Sequence, residues 1–242
     1  MPSLTIPARF NGPEHSGQGG YVGGLLASHI AGPARVNLRM PPPLDTPLQL
    51  NVSPDGQVTL HQGDDLVGEA RPTGLEVVLP PTLPTLEEAR AARENYLGYG
   101  RHPVPFCYVC GHLRPKNDGM EVYPGPLPKA GDDGRVMVTT PWEPTPDLAG
   151  ADGAVSLPNL WGALDCPGGW AVAANGGFGE GTLALLAEMS AQVHRAPAIG
   201  EQTIVLGWYS GGEGRKHHAH SAVLTPHGEP LAVSNSLWIQ LK

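Results

Sequence analysis

One structural pattern occurs twice in the sequence, and it constrains the fold more than any other feature. Each copy consists of an apolar helix marked by glycines, followed by several short segments in which apolar and polar residues alternate. The first helix is predicted over 18–30, with Gly-Gly-Tyr-Val-Gly-Gly at 19–24, and the second surrounds residues 159–170. Apolar residues at helical spacing indicate a helix with one packed face, and strict alternation indicates a half-buried strand. The chain therefore has the pattern of one folding unit written twice.

The alternating segments predict antiparallel meanders. In the first half they cover 4–9 before the helix and 35–40, 48–52, 57–61 and 65–70 after it. In the second half they cover 120–123 and 135–140 before the helix and 182–193, 202–209, 216–224 and 231–241 after it. Pro, Asp-Gly and Gly-Asp turns separate the strands of the first half, as in a meander with one face on a core.

A proline-rich stretch and a charged helix separate the two halves. Pro80, Pro81 and Pro84 open this stretch, and residues 86–97 predict an amphipathic helix of weak hydrophobicity. We therefore divide the chain into a first unit over 1–80, a connector over 81–105 and a second unit over 106–242.

Charge and hydropathy exclude two classes of partner. Lys plus Arg number 15 against 23 for Asp plus Glu, a formal net charge of -8, so no basic surface is available to follow a phosphate backbone. No apolar run approaches the ~20 residues that span a bilayer. The beginning of the sequence also lacks a basic region followed by a continuous apolar stretch, and three cysteines do not make a disulfide framework. We expect a cytoplasmic protein that binds neither nucleic acid nor membrane.

The second predicted helix carries one carboxylate, Asp165, in an apolar run that ends on Pro-Gly-Gly at 167–169. Desolvating an unpaired carboxylate is costly, so a buried Asp indicates either a partner or a use. Two interpretations stay open. Asp165 carries the chemistry of a site, or it bonds backbone N–H groups at the helix end and caps the following turn.

A helix followed by a meander, present twice, resembles the hotdog fold, in which a curved antiparallel sheet wraps a central helix. The sequence at 19–27 is similar to the helix start of the first repeat in thioesterase II-type acyl-CoA thioesterases, and Ala-Leu-Asp-Cys-Pro-Gly-Gly-Trp at 163–170 lies in the second. Cys-Tyr-Val-Cys-Gly at 107–111, followed by Gly-Met-Glu-Val-Tyr-Pro at 119–124, is similar to the opening of small phenylacetate-type hotdog thioesterases. The resemblance implies an α+β double hotdog.

The same resemblance implies an acyl-CoA thioesterase-like hydrolase that cleaves an acyl thioester of coenzyme A or of a carrier protein. Asp165 is then the general base or nucleophile. Amides of Gly19, Gly20 and Tyr21, at a helix start without bulky side chains, hold the oxyanion. The glycines have a second interpretation, since they also permit close packing of the helix. We expect no cofactor, and a homodimer is predicted because a further sheet-to-sheet contact would bury more surface.

Thioesterase II enzymes are expected to place a Thr or Ser and a Gln beside the Asp, around one water. Ser190 and Gln192 are the catalytic partners predicted here, although neither falls on the full family pattern, and Asn235 or Ser236 could substitute. The predicted substrate-binding residues are His15, Gly19, Gly20, Tyr21, Trp161 and Asn235. Tyr21 and Trp161 also fit a core position.

The incomplete pattern leaves two functions open. One is an acyl-CoA thioesterase, and the other is a non-catalytic protein that binds an acyl thioester or another small ligand. A hydratase-like activity is disfavoured, because no Asp and His pair marks the helix entrance.

Cys107 and Cys110 have the spacing of half a zinc site, and His102 or His112 could complete a set. The one other cysteine in the sequence is Cys166, beside Asp165. The pair is equally explained as small apolar residues that begin a buried segment. We expect no metal.

Overall fold

The structure, a computed structural model, describes residues 3–131, 133–179 and 182–241 of the 242-residue chain. The helices in these ranges are α1 (Gly19–Ala27), α2 (Leu86–Arg93) and α3 (Leu157–Ala174). The strands are β1 (Ser3–Leu4), β2 (Ala34–Leu38), β3 (Leu48–Val52), β4 (Val58–Gln62), β5 (Asp65–Pro72), β6 (Gly125–Ala130), β7 (Val136–Trp142), β8 (Ala184–Val193), β9 (Thr203–Glu213), β10 (Lys216–Leu224) and β11 (Pro230–Gln240). None of the described helices is both long and apolar enough to cross a lipid bilayer.

The strands form one antiparallel sheet in the order β1-β3-β4-β5-β2-β8-β11-β10-β9-β7-β6, and its two halves mirror each other. In each half a helix is followed by four strands. From the edge of the sheet towards its centre, these lie in the order second, third, fourth and first. The two first strands, β2 and β8, pair with each other at the centre, where Val36 lies opposite Met189. A strand that precedes each helix pairs with the second strand of its half, β1 with β3 and β7 with β9. From the centre outwards, both halves of the sheet therefore have the same strand order.

Helices α1 and α3 lie antiparallel and in close contact. A Cβ atom on Gly20 would lie 2.5 Å from the Cβ of Asp165 and 2.6 Å from the carbonyl oxygen of Trp161. A Cβ atom on Gly24 would lie 2.4 Å from the Cα of Pro158. Because real Cβ contacts are never this short, only glycine allows the two backbones to approach so closely. The glycines that mark the first helix thus set the helix-to-helix distance and bring the start of α1 to Asp165.

The predicted end of the second helix at Pro-Gly-Gly is wrong, since α3 continues through Pro167 to Ala174. Gly168 and Gly169 let the helix lie against β11. Added Cβ atoms there would come within 2.9 Å of the Ser236 hydroxyl and 3.0 Å of the Trp238 ring. Proline and glycine are local stop signals, and here the packing of the helix on the sheet outweighs them.

Two predicted strands also differ from the structure. Residues 4–9 hold only the end of the two-residue strand β1 and the start of a 3-10 turn at Ala8–Phe10, for which Pro7 is the N-cap. Residues 120–123 are irregular, and the N–H groups of Met120 and Val122 donate to the carbonyls of Tyr108 and Val109. Apolar and polar side chains do alternate at 120–123, but the backbone of this segment hydrogen-bonds to a loop and does not join the sheet.

The segment predicted as a connector packs on the outer face of the second half of the sheet. Helix α2 begins with a capping box between Thr85 and Glu88, ends at Arg93, and is shorter than the 86–97 expected from the sequence. Its Ala89 and Ala92 are buried in a second core with Leu127, Met137, Ile204, Leu206, Ala222, Leu224 and Val233. The larger core around α1 and α3 lies on the other face. The second half of the sheet is therefore covered on both faces.

Candidate active site

Asp165 lies near the middle of α3, beside the start of α1, and it is only 2% exposed. Its Oδ2 accepts hydrogen bonds from the Gly20 N–H, at 2.8 Å, and from the side-chain amide of Gln18. Its Oδ1 is buried and has no hydrogen-bond partner in the described part of the chain. The carboxylate thus bonds the start of the opposite helix and does not cap the turn at 167–169.

Gln18 is the N-cap of α1 and connects three groups of the site. Its Oε1 accepts the Tyr21 N–H at 2.6 Å, which fixes the side chain. Its Nε2 donates to Asp165 and lies 3.7 Å from the sulfur of Cys166. The sequence reasoning missed this residue. The available signal was its position directly before the glycine-rich helix start, where side chains cap the first turn.

Burial raises the pKa of Asp165 to about 7, and the hydrogen bonds from Gly20 and Gln18 oppose that rise. The cause is the loss of solvent around a charged group. A carboxyl group that titrates near neutral pH can both accept and return a proton during one reaction cycle. The environment therefore suits Asp165 to acid-base chemistry.

Asp165 lines a cavity of about 450 Å³, a volume typical of small-molecule sites. The cavity lies between the start of α1, the loop that follows residue 97, helix α3 and the first residues of β8. Its apolar wall includes Leu97, Val104, Trp170, Phe178, Leu185, Leu186 and Trp238. A hydrophobic chain could therefore lie beside the carboxylate.

Two of the three amides predicted to hold an oxyanion are already engaged. The N–H of Gly20 donates to Asp165, and the N–H of Tyr21 donates to Gln18. The N–H of Gly19 has no acceptor among the described residues, and Gly19 lines the cavity. One amide at the helix start is thus available to a ligand.

The predicted partners Ser190 and Gln192 are not brought to Asp165. Ser190 lies in the middle of β8, where it pairs with Asn235 of β11, and none of these three residues lines the cavity. Strand β8 reaches the cavity only with residues 184–186, and four further residues along a strand span about 13 Å. His15 is exposed in the turn before α1 and does not line the cavity either.

Tyr21 and Trp161 occupy core positions, in line with their alternative interpretation. Trp161 is buried one turn before Asp165, and its ring covers Gly23. Tyr21 stacks on Phe10 with ring centroids 4.1 Å apart and meets Tyr108 edge-on. Neither Tyr21 nor Trp161 lines the cavity.

The three cysteines meet on the cavity wall beside Asp165. Their sulfur atoms lie within 4.8 Å of one another, and those of Cys107 and Cys166 are 3.9 Å apart. The Nε2 of His102 lies 3.4 Å from the sulfur of Cys110. In the sequence, Cys107 and Cys110 have the spacing of a ligand pair, but no pattern there places Cys166 beside them, because that contact joins segments 59 residues apart.

Comparison with known proteins identifies the fold. No sequence model of a known family matches the chain, and no curated protein sequence matches it either. Among solved structures, a conserved hotdog-fold protein of Alicyclobacillus acidocaldarius matches with a TM-score of 0.63 and 12% identity, over 99% of this chain and 92% of that chain.

Two further matches cover the same shares, 99% of this chain and 92% of the other. They are the tesB protein of Mycobacterium avium subs paratuberculosis, with a TM-score of 0.61 and 14% identity, and an acyl-CoA thioesterase II of Mycobacterium marinum, with 0.58 and 11%. At these identities the likeness shows the fold alone. The chain therefore has the hotdog fold, and its activity must be argued from the site.

Proposed function

We propose that this hotdog protein is a thioesterase II-like acyl-CoA thioesterase in which Asp165 activates a water molecule. The observation that carries the proposal is the set of contacts around the Asp165 carboxylate. Gly20 and Gln18 hold Oδ2, Oδ1 has no partner in the described chain, and the residue lines an apolar cavity. A fixed carboxylate with one free oxygen beside a ligand cavity is the arrangement that a general base requires.

We interpret the mirrored sheet as two hotdog units, over 1–80 and 106–242, that share one site. The first unit supplies the glycine-rich start of α1, and the second supplies Asp165 on α3. The sequence of α1, Gly-Gly-Tyr-Val-Gly-Gly-Leu-Leu-Ala, contains no acidic residue. The symmetry-related position thus lacks a base, and the proposal places a single active site in the chain.

The reaction follows from the positions of these groups. Asp165 removes a proton from water, and the water oxygen attacks the thioester carbonyl carbon. The negative charge that develops on the carbonyl oxygen is stabilised by the free N–H of Gly19 at the positive end of α1. The tetrahedral intermediate then collapses, the C–S bond breaks, and the leaving thiolate takes the proton from Asp165. The products are a free acid and a free thiol.

The substrate class is supported by the cavity and by the matched structures. An aliphatic or aromatic acyl group would replace water along the apolar wall formed by Trp170, Leu186 and Trp238. The name of the matched Mycobacterium marinum protein, acyl-CoA thioesterase II, states that class of substrate. We therefore propose an acyl thioester of coenzyme A as the substrate.

The test is the release of free thiol from acyl-CoAs of short, long and aromatic acyl groups, by the wild type and by Asp165→Asn. An Asn side chain still offers an oxygen to Gly20 and Gln18, so the helix contact is kept while the base is lost. We expect turnover to fall by about 10²-fold or more. Binding of a non-hydrolysable thioether analogue of the same acyl-CoA should be unchanged. Asp64→Asn, at an exposed carboxylate away from the cavity, is the matched control and should retain full activity.

One observation favours a second function, a binding protein without turnover. Ser190 and Gln192, the partners that the thioesterase II resemblance predicts, lie away from the cavity, and the glutamine that bonds Asp165 is Gln18 of the opposite helix start. Tight binding of acyl-CoA by the wild type, with no thiol release that depends on Asp165, would establish this function and refute catalysis.

A further inference from the structure

We infer that Cys107, Cys110 and Cys166 bind a zinc ion, which clamps the loop of residues 100–124 to helix α3. Water on the cavity side supplies the fourth ligand. This site lies on the same cavity wall as Asp165, but the inference stands on the arrangement of the thiols and does not depend on thioester hydrolysis.

The spacing of the sulfur atoms fits a tetrahedral zinc ion. With Zn–S bonds of about 2.3 Å, two thiolates on one zinc lie about 3.8 Å apart. The sulfurs of Cys107 and Cys166 are 3.9 Å apart, and all three sulfurs lie within 4.8 Å of one another. Small side-chain adjustments would therefore complete three Zn–S bonds. Three soft thiolates also select zinc over hard cations such as magnesium or calcium.

The turn that holds Cys107 and Cys110 is tight and fixes the positions of the two residues. The N–H of Gly111 closes the turn on the carbonyl of Cys107 at 2.9 Å. A Cβ atom on Gly111 would lie 2.4 Å from the Cys107 nitrogen, so this position requires glycine. A turn closed in this way presents both sulfurs from one short segment, which is what a Cys-x-x-Cys pair of zinc ligands requires.

The loop that carries Cys107 and Cys110 is long and irregular. No helix or strand lies between Tyr99 and Gly125, and this part of the chain is fully described. Irregular loops of this length inside a compact domain are uncommon unless they are functional. The zinc ion would join Cys107 and Cys110 of the loop to Cys166 of α3. Metal binding of this kind contributes directly to folding free energy.

His102 is adjacent to the cluster but is not assigned as a ligand. Its Nδ1 accepts the N–H of Val104 at 3.0 Å, so in the neutral ring the proton is on Nε2. That Nε2 lies 3.1 Å from the carbonyl oxygen of Cys110, to which it donates. A protonated nitrogen cannot coordinate a metal ion. All three cysteines line the cavity, and three protein ligands with one water is an established zinc arrangement.

The experiment measures metal content, which does not depend on whether the protein hydrolyses a thioester. The full chain is purified under reducing conditions, incubated with zinc, dialysed and analysed by mass spectrometry for zinc. We expect about one zinc ion per chain in the wild type. Cys107→Ser and Cys166→Ser should each retain at least tenfold less zinc. His102→Ala, beside the cluster, is the matched control and should retain as much as the wild type.

A second measurement needs no variant and covers the case in which a serine variant does not fold. Cobalt in place of zinc should give the charge-transfer absorption of thiolate coordination and protect all three thiols from alkylation until a chelator is added. A wild-type protein with three reduced thiols that takes up neither metal would overturn the inference. Serine variants that keep the full zinc content would also overturn it. Loss of zinc in His102→Ala would refute water as the fourth ligand.

Discussion

Replacing Gly20 with alanine should destabilise the protein, because this residue lies where α1 crosses α3. The added methyl group would sit 2.5 Å from the Cβ of Asp165 and 2.6 Å from the Trp161 carbonyl oxygen. The first atom is bonded directly to the backbone and the second belongs to it, so neither contact can be relieved by rotating a side chain. The helices must separate, and overpacking of this kind costs up to about 3 kcal/mol.

Alanine also favours the helical conformation over glycine by up to about 1 kcal/mol, which opposes the clash. The net loss in the free energy of unfolding is then about 2 kcal/mol, or a fall in Tm of about 4–8 °C for a chain of this size. Thermal and urea unfolding of Gly20→Ala, followed by circular dichroism, measure both quantities.

Gly74→Ala is the matched control for this change. A Cβ atom on Gly74 would meet nothing within 4 Å, so the stability of this variant should stay within about 0.5 kcal/mol of the wild type. Equal stability of Gly20→Ala and the wild type would refute the close helix contact. A more stable Gly20→Ala variant would show that helix propensity dominates at this position.

Two further changes test the surroundings of the site. Thr85→Ala removes the capping box at the start of α2 and should cost about 1 kcal/mol in urea unfolding. It should leave thiol release unchanged, since α2 packs on the outer face of the sheet, and reduced release would contradict that placement. Tyr96→Phe removes the 2.9 Å hydrogen bond from the buried Tyr96 hydroxyl to the Cys110 carbonyl. Because the His102 Nε2 still donates to that oxygen, the loss should be only about 1 kcal/mol, and the double variant with His102→Ala should lose more than the sum of the two single changes.

The order of elements could be predicted from the sequence because periodicity is a local property. The alternating segments at 48–52 and 216–224 coincide with β3 and β10, and the two glycine-marked helices are α1 and α3. The resemblance to the hotdog fold is confirmed by the matched structures. Residues that share one face of a strand or helix lie only a few positions apart in the chain, so the sequence shows this periodicity directly.

The departures arise where distant segments meet. Pro-Gly-Gly at 167–169 has a local stop pattern, yet contacts with Ser236 and Trp238 keep the helix intact. Ser190 and Gln192 were chosen by residue type alone, and the direction of β8 carries them away from the cavity. Gln18 was marked only by its position before the glycine-rich helix start, and its contact with Asp165 depends on the approach of α3.

By itself the sequence determined that each of two glycine-marked helices precedes a run of strands, and that a lone carboxylate, Asp165, lies in an apolar helix. Only the tertiary structure decided what surrounds that carboxylate. Gln18, the Gly20 amide and the three thiols come from segments far apart in the chain, and the close crossing of α1 and α3 brings the start of α1 to the carboxylate. Burial also sets the pKa of Asp165 at about 7, a property that depends on the loss of solvent in the folded state and on no local pattern of residues.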